Sequence, residues 1–158
     1  MSANTLDRTG VLVPCPSCGK INRLRYTTLG SAARCGACKT GLTAPAEPVE
    51  VSDAATFDAL IASSSLPVVV DFWAPWCAPC RMMAPELEKV AKDAMGEWLI
   101  AKVDTDAVPD LGERFQIRSI PTLAIFQGGR QIHSAAGARS AADIRSLVAA
   151  NLARSSAA

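Results

Sequence analysis

The sequence predicts an α/β protein with a mixed central sheet flanked by helices, preceded by a small cysteine-rich domain. Helical and strand patterns alternate from Val49 onwards. The stretch at 67–73, apolar except for Asp71, is typical of a strand buried on both faces. All six cysteines fall into three Cys-x-x-Cys pairs, two of which precede residue 45. The chain therefore divides into a short segment that depends on its cysteines and a longer segment with its own core.

The longer segment opens with a helix, a strand and a second helix. Apolar residues at helical spacing predict the first helix, with Ser52 or Asp53 as its N-cap. The buried strand at 67–73 follows, and apolar positions then predict a helix at 79–94. Pro85 lies inside this helix, where it removes one backbone hydrogen bond and should produce a kink.

The remaining elements complete the sheet. We expect a strand at 98–103, a short helix at 110–115, and two further strands at 123–126 and 130–134. Gly128-Gly129 between the last two strands predicts a hairpin turn. Ser140, with Asp143 three residues later, indicates the start of a final helix. These elements alternate as a mixed sheet with helices on its faces requires.

Composition excludes several classes of protein. Hydrophobic residues make up 49% of the chain, with 16 basic and 15 acidic residues, which excludes disorder as the main state. The longest apolar run, at 66–76, is interrupted by two prolines and Asp71, so we expect no membrane span. The start of the chain has no basic cluster followed by a long apolar stretch, so we expect no secretory signal and a cytoplasmic location.

Charge and proline content place the domain boundary. Residues 1–45 carry six basic residues and one acid, Asp7, whereas the rest carries more acids than bases. Pro45 and Pro48 favour an extended connector between the two compositions. We therefore predict a cysteine-rich domain at 1–42, a linker at 43–48 and a second domain at 49–158.

The third cysteine pair has the placement of a redox pair. Cys77 lies where the buried strand ends and a helix begins, and a helix N-terminus stabilises a thiolate. Cys80 lies on the same helix face, within disulfide reach. We interpret Cys77 as the nucleophile and Cys80 as the resolving thiol. The alternatives are an inert buried pair, half of a metal site, or a Cys-His dyad that would have to use the only histidine, His133.

The first two pairs have the spacing of a four-cysteine zinc site. Cys15 and Cys18 are separated by sixteen residues from Cys35 and Cys38, with glycine inside or after each pair. Four thiolates fill the coordination shell of zinc, so the site would be structural and would supply folding energy to a segment too small to fold alone. Iron, or redox-active disulfides, are the alternatives.

The motif around the third pair resembles the active site of the thioredoxin family. Residues 70–80 read Val-Asp-Phe-Trp-Ala-Pro-Trp-Cys-Ala-Pro-Cys, which is similar to the family's strand, loop and helix. Ser119-Ile120-Pro121-Thr122 and Gly137-Ala138 resemble the two other segments that border that site. The resemblance extends from about Val49 to Ala153, and the family's usual Gly-Pro between the cysteines is Ala78-Pro79 here. With the N-terminal pairs included, the chain resembles the zinc-containing class of bacterial thioredoxins.

Supporting residues follow from the pattern and from this resemblance. Asp71 lies inside a strand that is otherwise apolar, so burial should raise its pKa and allow it to exchange a proton with Cys80. By resemblance, Lys102 is its partner, and a cis bond before Pro121 places Ile120 beside the disulfide to pair with substrate backbone. Trp76, next to the nucleophile, is expected to form an apolar contact surface. Its other members are Ile120, Gly137 and Ala138.

The resemblance implies a cytoplasmic protein-disulfide reductase of thioredoxin type. Its substrates would be proteins with disulfides, and an NADPH-dependent thioredoxin reductase would reduce it, so the chain itself should hold neither flavin nor nicotinamide. No Gly-x-Gly-x-x-Gly motif is present to suggest otherwise. Two alternatives remain. One is a redox-responsive zinc chaperone or sensor, and the other is a docking module in which the basic domain at 1–42, the ribbon, binds nucleic acid or protein. Tyr26 is the ribbon's only aromatic residue, which disfavours nucleic acid.

Overall fold

The computed structural model describes residues 4–157, with side chains through Arg154, so residues 1–3 and 158 at the ends of the expected domains lie outside the described residues. The N-terminal part contains five short strands: β1 Thr5–Leu6, β2 Gly10–Pro14, β3 Ile21–Arg25, β4 Ala33–Arg34 and β5 Gly41–Leu42. The remainder contains β6 Val49–Glu50, α1 Ala54–Ser63, β7 Val68–Trp73, α2 Ala78–Asp93, β8 Leu99–Asp104, α3 Pro109–Arg114, β9 Thr122–Gln127, β10 Arg130–Ala136 and α4 Ala141–Ala157.

The predicted fold class is confirmed. A five-stranded sheet has the order β10-β9-β7-β8-β6. Strands β6, β8 and β7 run parallel, β9 is antiparallel to β7, and β10 is antiparallel to β9. The apolar faces of α2 and α4 cover one side of this sheet. The other side packs against α1 and α3. Within residues 4–157, no helix has both the length and the apolar character of a membrane span.

The Cys77/Cys80 pair is positioned by the central strand and the helix after it. Residues Val68–Phe72 of β7 are all buried, as a strand covered on both faces requires. The chain leaves this strand at Trp73 and enters α2, which continues through Pro85 to Asp93. Upstream, Asp53 is the N-cap of α1, because its Oδ1 accepts a hydrogen bond of 2.7 Å from the Thr56 amide.

The N-terminal part is not the isolated, coreless segment that its size suggests. Its strands form a three-stranded sheet, β1-β2-β3, and a two-stranded sheet, β4-β5. Buried side chains of these sheets, among them Val11, Leu24 and Leu42, belong to the same hydrophobic cluster as Leu60 and Leu66 of the larger part. The N-terminal part therefore shares its core with the larger part, because neither small sheet can bury its apolar face alone.

Hydrogen bonds reinforce this shared core. Tyr26 is 1% exposed, and its hydroxyl donates to the carbonyl of Asp7. Its own carbonyl accepts a 2.9 Å bond from the Ser65 amide, just before β7. The Ser65 hydroxyl in turn accepts a 3.0 Å bond from the Gly30 amide. A ring buried in this way cannot stack on bases, which removes the ribbon's one aromatic residue from any nucleic-acid surface.

The segment 43–48, expected as an extended connector, is packed against the protein. Ala44 is 2% exposed, and Pro45 is also buried. Ala44 packs into the shared core, so the segment does not separate two independent bodies. The connector is therefore not an open tether.

Candidate functional site

The two cysteines of the third pair meet at the N-terminus of α2. A disulfide joins them, with a Cα–Cα distance of 5.3 Å. Cys77 is the N-cap residue, and its Sγ accepts a hydrogen bond of 3.2 Å from the Cys80 amide. After reduction, the same amide and the positive end of the helix would face the Cys77 sulfur, which is the environment that stabilises a thiolate.

Ile120 and Pro121 form the second wall of this site. The Ile120–Pro121 peptide is cis, as the resemblance implies, and the Ile120 carbonyl oxygen lies 3.7 Å from the Cys77 Sγ. Ile120 also packs against the small buried cluster that contains Cys77 and Cys80. The Pro121 carbonyl accepts a 2.9 Å bond from the amide of Gly137, which has φ +106. That bond brings the Gly137-Ala138 segment to the same wall.

The outer surface of the site is largely apolar. Trp76 is 68% exposed, and Gly137 and Ala138 are also exposed. The indole Nε1 of Trp76 donates a 2.9 Å hydrogen bond to the Asp106 carboxylate, which fixes the ring at the surface. Asp106 could not be predicted from the sequence, since its loop meets Trp76 only in the folded chain.

A buried carboxylate lies in the strand that leads to the disulfide. Asp71, in the central strand β7, is 1% exposed, and its Oδ1 has no hydrogen-bond partner among the described residues. Burial raises the pKa of Asp71 to about 7, while the Lys102 charge acts in the opposite direction. Lys102 is the register partner of Asp71 on β8, and its Nζ lies 4.3 Å from the centroid of the Trp73 ring.

The four N-terminal cysteines form a second cluster. All four Sγ atoms lie within 4.8 Å of one another, with 3.6 Å between Cys15 and Cys38 and 3.6 Å between Cys18 and Cys35. A tetrahedral zinc with sulfur ligands at about 2.3 Å separates those sulfurs by about 3.8 Å, so the set fits zinc. The Cys38 amide and the Asn22 side chain lower the pKa of the Cys35 thiol to about 6.

The backbone around the cluster has the form of two metal-binding knuckles. The Ser17 amide donates to the Cys15 Sγ and the Ala37 amide to the Cys35 Sγ, both at 3.4 Å. In each knuckle, the amide four residues after the first cysteine also bonds that cysteine's carbonyl. Amides aimed at sulfur stabilise bound thiolates, and the same arrangement in both turns explains the paired Cys-x-x-Cys spacing.

The other candidate metal ligands do not belong to this cluster. Among the side chains that the structure describes, the four N-terminal cysteines form the one group of three or more His, Cys, Asp or Glu ligands close enough to share an ion. Cys77 and Cys80 are therefore not half of a metal site within that part of the chain. His133 lies in β10, where its register partner is Ile125 of β9.

Comparisons with known proteins agree with this geometry. The model of the thioredoxin family matches residues 48–150. Thioredoxin C-3 of Corynebacterium nephridii is 40% identical over 129 residues, which are 81% of this chain and 86% of that protein. The bifunctional thioredoxin reductase/thioredoxin of Mycobacterium leprae (strain TN) is 43% identical over 113 residues, 72% of this chain but 23% of that larger protein.

The fold also has a counterpart among solved structures. A mutant thioredoxin from Halobacterium salinarum NRC-1 superposes with a TM-score of 0.62 at 29% identity. The match covers 68% of this chain and 92% of the other. The part of the chain that matches the family model contains the third cysteine pair, whereas the four-cysteine cluster precedes it.

Proposed function

Because this chain belongs to the thioredoxin family and is a thiol-disulfide oxidoreductase, we propose that it reduces protein disulfides through Cys77 and Cys80. One observation carries the proposal: the two sulfurs form a disulfide at a helix N-terminus, beside the Ile120 carbonyl. Two thiols that can close a disulfide at this position can reduce a substrate disulfide by thiol-disulfide exchange. The stabilised thiolate of Cys77 makes it the attacking group.

The first step is attack by the reduced Cys77. Its thiolate forms a bond to one sulfur of the substrate disulfide, the substrate S–S bond breaks, and the second substrate sulfur leaves as a thiolate that takes up a proton. Cys77 and the substrate are then joined by a mixed disulfide. The Cys80 amide, which donates to the Cys77 Sγ in the closed disulfide, favours the anionic sulfur before the attack.

Cys80 completes the exchange. Its thiol loses a proton and attacks the Cys77 sulfur, which releases the other substrate cysteine and closes the Cys77–Cys80 disulfide. Two electrons have then moved from the pair to the substrate. We assign Asp71 as the acceptor of the Cys80 proton, because a buried carboxyl with a pKa of about 7 exchanges protons readily near neutral pH. Lys102 would tune that carboxyl from the neighbouring strand.

The apolar wall around the disulfide would receive the substrate. Trp76 with Gly137 and Ala138 offers an exposed surface of low charge, and Ile120 before Pro121 lies next to the sulfurs. An extended substrate segment can lie against this wall and pair with its backbone. Substrates would therefore be proteins with an accessible disulfide in an extended segment.

A thioredoxin reductase that uses NADPH would return the pair to the dithiol. The relative whose name joins a thioredoxin reductase to a thioredoxin supports this choice of partner. A reducing compartment such as the cytoplasm would then keep the enzyme active, and it would also keep the four N-terminal thiols free for metal.

Zinc is the metal that the N-terminal cluster fits best, and we place the chain in the zinc-containing class of thioredoxins. The four thiolates would hold one ion per chain and leave no coordination position open, so zinc would supply folding energy and no chemistry at the disulfide. Residues 1–42 would then be a zinc ribbon and 49–158 the thioredoxin domain, with 43–48 between them. The 3.6 Å sulfur pairs make disulfides the main alternative state of this cluster.

Insulin reduction tests the proposed function. Full-length protein with bound zinc, incubated with a bacterial thioredoxin reductase and NADPH, should consume NADPH in proportion to added insulin. Consumption with insulin at the rate without it would contradict the proposal.

Replacing Asp71 with Asn should have opposite effects on rate and stability. Turnover with insulin should fall about tenfold at pH 7, because Cys80 loses its proton acceptor. The raised pKa of Asp71 means that folding is favoured while the carboxyl is protonated, and that this advantage is lost as pH rises towards 7. Asp71→Asn should therefore raise the free energy of unfolding by roughly 3 kcal/mol at pH 8 and have little effect at pH 4.

Denaturant unfolding at both pH values measures this difference. The exposed Asp110 provides the matched control, and Asp110→Asn should change stability by less than about 0.5 kcal/mol at either pH. An equal change at pH 4 and pH 8 for Asp71→Asn would mean that its carboxyl titrates as an exposed group.

A further inference from the structure

Three charged side chains form one row across three neighbouring parallel strands. In the sheet register, Glu50 of β6 is paired with Lys102 of β8, and Lys102 is paired with Asp71 of β7. Residues paired in register project from the same face of a sheet. The row therefore alternates acid, base, acid, from the outermost strand to the buried centre.

Exposure decreases along this row. Glu50 reaches solvent, Lys102 is partly buried and Asp71 is 1% exposed. The Lys102 ammonium lies over the Trp73 ring, and the Asp71 Oδ1 has no hydrogen-bond partner among the described residues. The Lys102 ammonium stands between the two acids in the row. It does not bond the buried Asp71 Oδ1.

The other groups around Asp71 do not replace this cation. On β8, Asp104 faces the same side as Lys102, but its Oδ1 accepts the amides of the following turn. The partner of Asp71 on β9 is Leu123, which is apolar. Among the described residues, Lys102 is therefore the basic group that acts on Asp71, and Glu50 lies on the other side of it.

We propose that Glu50 is a positioning residue of the redox site, which holds the Lys102 ammonium towards the solvent edge of the sheet and so limits its action on Asp71. The structure supports this in two ways. The sheet register places Glu50 beside Lys102, whose ammonium lies over the Trp73 ring, and the Lys102 charge lowers the pKa of Glu50 against the effect of burial. The Glu50 charge also contributes to the raised pKa of Asp71, and Lys102 contributes in the opposite direction.

The consequence for the reaction rests on the proposed role of Asp71. With Glu50 present, Asp71 keeps its proton up to about neutral pH, and Cys80 finds a base only above it. Without the Glu50 charge, Lys102 can turn inwards and the direct repulsion between the two carboxylates also disappears. Asp71 would then ionise at lower pH, and the acid limb of the pH profile would move with it.

The test is a titration of the Asp71 carboxyl carbon by NMR, in oxidised full-length protein with bound zinc. Glu50→Gln should lower the pKa of Asp71 by about 0.5, which is a threefold change in the proton equilibrium. The matched control is Glu88→Gln, which removes the same charge from an exposed position on α2 and should leave the titration unchanged. Glu50→Asp keeps the charge and should restore most of the original value.

A second pair of variants separates positioning from simple repulsion. In a Lys102→Met background, Glu50→Gln should move the pKa of Asp71 by less than half of its effect with Lys102 present, because only direct repulsion is left to remove. An equal shift in both backgrounds, or a shift no larger than that of Glu88→Gln, would overturn the proposal.

Activity then distinguishes this inference from the proposed function. If Asp71 is the proton acceptor, the acid limb of kcat/KM for insulin should move by the same amount as the NMR titration in Glu50→Gln. An NMR shift with an unchanged pH profile would leave Glu50 as a positioning residue and would contradict the assignment of Asp71 as the base.

Discussion

Replacing Cys77 with Ser should abolish reduction of insulin disulfides. The serine hydroxyl is not ionised near neutral pH, so it cannot attack sulfur, and the rate should fall at least about a thousandfold, to the level without enzyme. The fold should persist, because Ser can still accept the Cys80 amide as an N-cap. Turnover with reductase and NADPH measures the loss, and circular dichroism checks the fold.

Cys80→Ser is the matched variant, since it removes the other sulfur of the same disulfide. It should also stop turnover, but the Cys77 thiolate remains and should still attack one disulfide per chain. The two variants therefore differ in the first step of the reaction. Retained turnover in Cys77→Ser, or a first attack that requires Cys80, would reverse the assigned roles.

Removing the metal should lower the stability of the whole chain. Cys15 and Cys35 are 3% and 0% exposed and belong to the hydrophobic cluster that also contains Leu60 and Leu66. Loss of the ion should unfold the ribbon, which would expose that side of the cluster and reduce the free energy of unfolding of the remaining part by about 2–4 kcal/mol. The disulfide region is formed by β7, α2 and the Pro121 segment, so reduction of a small disulfide should persist at 25 °C.

Elemental analysis and thermal unfolding with and without a chelator measure these effects. One zinc per chain is expected in the purified protein, and Cys35→Ser should lose it together with the stability. Ser17→Ala is the control, because the residue contributes its backbone amide, which Ala also has, to the first knuckle. Absence of zinc, or a thermal midpoint that does not change when zinc is removed, would contradict this account.

The order of elements and the pairing of Cys77 with Cys80 could be predicted because each depends on local pattern. The run before Cys77 is apolar on both sides of Asp71, and its burial on both faces was expected from that alone. The helix after it was expected from apolar spacing, and it contains Pro85 as predicted. The spacing of Cys77 and Cys80 likewise indicates that these two thiols can approach one another, since residues three apart lie on the same helix face.

The parts that the sequence could not provide depend on which elements are neighbours. Glu50 gave no signal, because its relation to Lys102 requires β6 to lie beside β8, although more than fifty residues separate them in the chain. The packing of the ribbon was missed for the same reason. Tyr26 looked like an isolated aromatic residue in a basic segment, whereas its contacts with Ser65 make it part of the shared core.

The most direct test of the central claim follows the sulfur that the substrate binds. Reduced Cys80→Ser protein is mixed with a peptide that contains one disulfide, quenched with acid, and the adduct is located by peptide mass mapping. The proposed roles predict one peptide per chain, attached to Cys77, with Cys15, Cys18, Cys35 and Cys38 unmodified while zinc is bound. An adduct on any of those four cysteines instead, or no adduct on Cys77, would contradict them.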